Sequence, residues 1–119
     1  MKTLEQIRTL VAVQLQQISQ PECRLSLERF LVEPRLHQRN WDYGKEGESY
    51  PCWMVAEFPG TDTGIVFSEH GFGPSYPWGL VLVSEPWFGM DPGLFASLED
   101  AFRNSGGWDG ENPPGYEVQ

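Results

Sequence analysis

Residues 52–67 read CWMVAEFPGTDTGIVF, and this stretch decides the fold. Cys52–Phe58 is apolar on both faces except at Glu57, the pattern of a central strand. Pro59-Gly60-Thr61-Asp62-Thr63-Gly64 is turn chemistry, and Ile65-Val66-Phe67 resumes strand character. Downstream, the Gly/Pro-dense run His70–Gly79 leads into Leu80-Val81-Leu82-Val83. Upstream, Pro34 biases Glu33 towards extended geometry, and Arg35–Tyr43 reads as a strand, with the proline at its first residue or on an edge, ended by the loop Gly44–Ser49. On that strand Arg35, His37, Arg39, Trp41 and Tyr43 share one face, with Leu36, Gln38, Asn40 and Asp42 on the other. Neither face is cleanly apolar, so it reads as an edge or a functional strand. Short strands joined by turn-length loops predict an antiparallel meander of about four strands, Arg35–Tyr43, Cys52–Phe58, Gly64–Ser68 and Leu80–Val83.

Helices flank this sheet. Leu4, Ile7, Val11, Leu15 and Ile18 form a 3-4-4-3 stripe, Leu10 widens it, and Thr3 with Gln6 makes a capping box. The spacing predicts a helix over 3–19 that Pro21 stops. Residues 23–33 are ambiguous: Cys23, Leu25 and Leu27 alternate like a strand, while Leu27, Phe30 and Leu31 suit a helical turn. Ser97 and Asp100 open a second helix, 98–105, with Leu98, Ala101 and Phe102 on its apolar face and Gly106-Gly107 at its end. Glu85–Leu94 is irregular, and Trp108–Gln119 is a non-helical tail that Trp108 and Tyr116 can pin to the body. The expectation is a single α+β domain over 1–119, with the first helix packed on one sheet face. Its core is expected to hold the five stripe residues with Met54, Val55, Phe67, Leu80, Leu82, Leu98 and Phe102.

Charge is divided along the chain. From residue 46 onward there are twelve carboxylates and one cation, Arg103; residues 1–45 hold five carboxylates and seven cations. The net charge of −9 thus comes wholly from the C-terminal part, which also carries four of the five Trp residues and thirteen of the sixteen aromatics. Carboxylates among aromatics suit docking on a basic protein, the charge steering the encounter and the rings anchoring it. The same charge repels nucleic acid and anionic membrane. The residues expected to make contact are Glu69, Phe72, Tyr76 and Trp78 in one loop and Glu85, Trp87 and Asp91 in the next. The two loops leave opposite ends of the strand Leu80–Val83, so they form one patch only if 84–94 folds back along the sheet.

Other chemistry finds little support. Gly71-x-Gly73 lacks a third glycine and a following Lys-Ser/Thr, and Pro74 and Pro77 oppose the helix a phosphate cradle needs. Cys23, Cys52, His37 and His70 make no metal-ligand spacing, and no cofactor is expected. A Cys52–His70–Asp91 triad can be written, but Cys52 sits at the start of an apolar strand, where no helix N-terminus stabilises a thiolate. Catalysis is therefore not the expected role. The alternative is a small-ligand domain with an aromatic-lined pocket. The N-terminus places Glu5 and Arg8 where a signal peptide needs apolar residues, no 18-residue apolar span occurs, and a cytoplasmic location is expected. In size, charge and α+β pattern the chain resembles small acidic immunity or antitoxin-type proteins. That resemblance implies an acidic face that blocks the basic active-site surface of a cognate toxin, often a nuclease.

Overall fold

A computed structural model describes residues 2–40, 49–69, 76–84, 94–112 and 114–116, with backbone alone at 40, 49 and 50. The elements are α1 (Leu4–Gln16), α2 (Pro21–Glu28), β1 (Leu31–Asn40), β2 (Ser49–Phe58), β3 (Thr63–Phe67), β4 (Trp78–Leu82), β5 (Leu94–Phe95) and α3 (Leu98–Arg103). The strands form one antiparallel sheet in the order β1-β2-β3-β4-β5. The architecture is the α+β meander that the sequence predicts, with a fifth strand added.

The capping box forms: Gln6 N–H donates to Thr3 Oγ1 (3.2 Å) and Thr3 N–H donates to Gln6 Oε1 (2.8 Å). Pro21 has a different role from the expected one. Helix α1 has already ended at Gln16, and Pro21 occupies the first turn of α2, where its missing N–H costs nothing. The ambiguous stretch 23–33 resolves into α2, whose Cys23 and Leu27 are buried one turn apart, followed by a turn into β1. Strand β1 therefore begins at Leu31, earlier than expected, and Pro34 lies inside it on the edge of the sheet. The register shifts between Leu31 and Arg35, and because β1 is an edge strand it tolerates the missing donor there. In the β2–β3 turn Asp62 takes a left-handed conformation (φ 53°), which Asp accepts more readily than most residues.

The two sheet faces are buried differently. On the helix side, Ile7, Val11, Leu15 and Ile18 meet Val55, Phe58, Ile65, Phe67, Trp78 and Phe95, with Leu98, Ala101 and Phe102 of α3 alongside. Helix α3 is tied to α1 where Leu98 N–H donates to Gln14 Oε1 (3.0 Å). On the other face Cys52, Met54, Val66 and Val81 form a second cluster. Leu82, expected in the core, is 49% exposed at the end of β4, while Leu80 and Leu4 are half-buried. Val81, one residue away on the opposite face, is buried instead.

The sheet is curled. Arg39 on β1 donates from Nη1 to the carbonyl of Leu82 on β4 (3.2 Å). Three strand spacings in a flat sheet amount to about 14 Å, beyond the reach of one side chain. The register shifts in β1 and β2 supply the bend. Gly64 permits the close packing inside the curl: a Cβ there would lie 2.7 Å from both Ala56 O and Met54 Sδ.

Val11 is 9% exposed in the centre of the α1 stripe. Val11→Asp is expected to destabilise the fold by about 3 kcal/mol or more, because it buries an unpaired charge; chemical denaturation followed by circular dichroism measures it.

Candidate functional site

Of the residues expected to make contact, Phe72, Glu85, Trp87 and Asp91 lie outside the described residues. Glu69 and Tyr76 flank the β3–β4 connection, closed by Ser68 N–H donating to Pro77 O (2.8 Å). Tyr76 is 46% exposed; Glu69 is half-buried and pairs with Lys2 at 3.8 Å. Trp78 corrects the expected set. It is 1% exposed and packs edge-on against Phe67 with ring centroids 5.0 Å apart. The cause is strand length: β4 begins at Trp78, two residues earlier than expected, and pleating turns the ring inward opposite Phe67 and Phe95. Trp78 is a core residue and cannot anchor a partner. Strand β5 pairs with β4 at Trp78 and Gly79, and residues 85–93 of the second expected loop lie outside the described residues.

Charges divided in sequence are joined in space. Lys2 pairs with Glu69, Arg35 with Glu57, Arg8 with Glu5 and Glu33, and Arg103 with Glu99. Arg39 is buried. Among the described residues, Glu22, Glu28, Asp109 and Glu111 are exposed carboxylates without an ion pair, and the Asp62 carboxylate accepts from the Ser84 hydroxyl.

Three of these carboxylates gather where the tail meets α2. Helix α3 is capped by Ser97, whose hydroxyl accepts from Asp100 N–H, and ends at Arg103. The Arg103 side chain is 1% exposed; Nε donates to Glu99 (2.9 Å) and Nη1 to Asn112 Oδ1 (2.9 Å). Its guanidinium also lies over the rings of Trp108 (5.7 Å) and Tyr116 (5.0 Å), both cation–π contacts. Trp108 Nε1 donates to the same Asn112 oxygen (3.1 Å), and its ring packs on Phe102. Tyr116 donates its hydroxyl to the buried Asp100 carboxylate; burial, then that carboxylate, raise the phenol pKa well above its ordinary value. The tail is thus pinned by Trp108 and Tyr116, as the sequence predicts. Gln20 Nε2 adds a bond to Glu111 O (3.2 Å).

Glu22, Leu25, Ser26 and Arg29 recur at i, i+3, i+4 and i+7, so they form one stripe along α2. With Trp108 and Asp109 they line a groove of about 320 Å³. Leu25 is 57% exposed within it. Sequence reading missed this groove because α2 itself was ambiguous; the signal was the stripe, which appears only once the helix is assigned.

A second polar constellation lies inside the curl. Arg35, His37 and Arg39 share a face of β1, as predicted, with Arg35 opposite Met54 and His37 opposite Cys52. Arg39 Nε–H donates to His37 Nε2 (2.8 Å), so the His37 proton resides on Nδ1, which faces Arg35 O at 3.4 Å. Cys52 Sγ lies 3.4 Å from the same Nε2. Burial pushes the Cys52 thiol up to about 12, with Arg39 only partly opposing it, so at neutral pH it is a thiol and a poor nucleophile. Burial, then the neighbouring Arg39, lowers the His37 pKa and keeps the ring neutral. A concavity of about 270 Å³ opens beside this cluster, between Arg35, Met54 and Val83. The other residues of the conceivable Cys52 triad, His70 and Asp91, lie outside the described residues. Among those described, no three His, Cys, Asp or Glu side chains gather to hold a metal, and no helix is long and apolar enough to cross a membrane.

Arg103→Ala is expected to cost about 3 kcal/mol or more, since it strips a buried network of its cation. It should also release the tail to limited proteolysis, whereas Tyr116→Phe should cost about 1 kcal/mol. His37 makes stability fall with acid. Below the ordinary pKa of 6.5 the unfolded chain takes up a proton that the folded ring resists, so stability drops as pH falls from there towards the lowered folded value. The melting temperature should therefore decline more steeply below that pH in the wild type than in His37→Gln.

Compared with protein-family models, curated proteins and solved structures, the chain matches none.

Proposed function

We propose that the chain is a protein-binding domain that docks on a basic partner protein, in the manner of an immunity- or antitoxin-type inhibitor that works by occlusion. The observation that carries this reading is the use of the cations. Lys2, Arg8, Arg35 and Arg103 are held by carboxylates and Arg39 is buried, so that among the described residues only Arg24 and Arg29 stand outside ion pairs, against the carboxylates of Glu22, Glu28, Asp62, Asp109 and Glu111. Such a surface raises the encounter rate with a cationic protein and disfavours nucleic acid. An aromatic-lined small-ligand pocket gains less support: Phe30, Phe58, Phe67, Trp78 and Phe102 pack on one another in or against the core. Trp108 is the one aromatic in the two concavities described above.

The test is affinity capture on the immobilised full chain, then association kinetics with the purified captured protein. The expected partner has a net positive charge, and its association rate falls at least about tenfold as salt rises from about 0.05 to 0.5 M. A partner whose association is insensitive to salt, or tight binding to plain duplex DNA at physiological salt, overturns the reading.

A further inference from the structure

We infer that the groove between α2 and the tail is where this docking occurs, and that it takes an extended segment with one lysine or arginine beside a bulky apolar side chain. The inference rests on the proposed function and goes further by naming the face and the recognised chemistry. The groove has an apolar part and an acidic part. Leu25 is 57% exposed although the core-facing positions of α2 are Cys23 and Leu27, and the half-buried Trp108 lies with it in the groove. Glu22 and Asp109, both exposed and without an ion pair, line the same groove, and Glu111 follows along the tail. An apolar side chain can cover Leu25 and the free part of Trp108 while its cationic neighbour meets the two carboxylates.

The walls are already set. Asn112 Oδ1 accepts from both Arg103 and Trp108, Gln20 holds Glu111 O, and Gly110 lies so close to the Trp108 ring that a Cβ there would approach it to 2.4 Å. Binding therefore need not order the tail, which removes one of the main costs of association. Arg29 sets the selectivity. It lies seven residues from Glu22 on the same stripe, about 10 Å along the helix, and repels a second cation at that end. The groove thus favours a single cation next to an apolar residue over a polybasic run.

Two blocked peptides test this, acetyl-Gly-Ser-Arg-Leu-Gly-Ser-amide and acetyl-Lys-Lys-Lys-Lys-amide, titrated into the ¹⁵N-labelled full chain. The first should shift the backbone signals of Leu25 and Ser26 and the Trp108 indole N–H. In the Glu22→Gln/Asp109→Asn double variant its Kd should rise about fivefold or more. Leu25→Ala, at an exposed position that leaves the fold intact by circular dichroism, should weaken it as well. Shifts confined to another face overturn the groove assignment and leave the proposed function standing. Tighter binding of the tetralysine peptide at the groove overturns the single-cation selectivity. No shift with either peptide overturns the groove, whereas failure to find any basic protein partner overturns the function itself.

Discussion

The guanidinium of Arg103 is the interaction on which the C-terminal third depends. It is the only cation after residue 45, and the fold buries it. Removing an arginine from water costs several kcal/mol, which the protein offsets by pairing it with Glu99, directing a second nitrogen to Asn112 and placing two rings over its faces. Each of those partners belongs to α3 or to the tail. A lysine could not replace this arrangement, because a point charge lacks both the flat faces for the rings and the fork for Glu99 and Asn112. The tail wall of the groove is held by that buried charge together with the Gln20–Glu111 bond.

The sequence was most legible where structure is local. The α1 stripe, the Thr3–Gln6 box, the apolar run of β2 and the Pro59–Gly64 turn each depend on residues within one helical turn or one hairpin. It was least legible where a boundary of two residues reverses the outcome. Pro21 can close one helix or open the next, and only the earlier end of α1 decides between them. Trp78 belongs to a loop or to a strand according to where β4 starts, and pleating then turns the ring from solvent to core. Strand β5 has two residues and no periodicity to detect. Leu82 looks like its neighbours in sequence but is half exposed as the last residue of β4.

The charge pattern shows the same division. The sequence places cations early and carboxylates late, a real asymmetry that describes the chain and not the surface. Folding brings Lys2 to Glu69 and Arg35 to Glu57, so part of the acidic run is neutralised by the basic part. Carboxylates from both parts, Glu22 beside Asp109, supply the acidic edge of the groove. Of the expected contact residues with described positions, Tyr76 is displayed, Glu69 is engaged by Lys2 and Trp78 is internal.

The Arg39–Leu82 bond has a consequence for how the sheet comes apart. A strand on the rim of an open sheet ordinarily frays alone, and its amides exchange with solvent through small local openings. Here β1 is fastened to its neighbour β2 by the ladder and to distant β4 by the Arg39 side chain. The His37 ring and the Cys52 thiol sit beside that tie. Peeling β1 away would strip Arg39 of its carbonyl and open the cluster of Cys52, Met54, Val66 and Val81 to water. The rim and the interior of the sheet are thereby joined into one cooperative unit, and hydrogen exchange along the inner edge of β1 should proceed through the opening of the whole sheet.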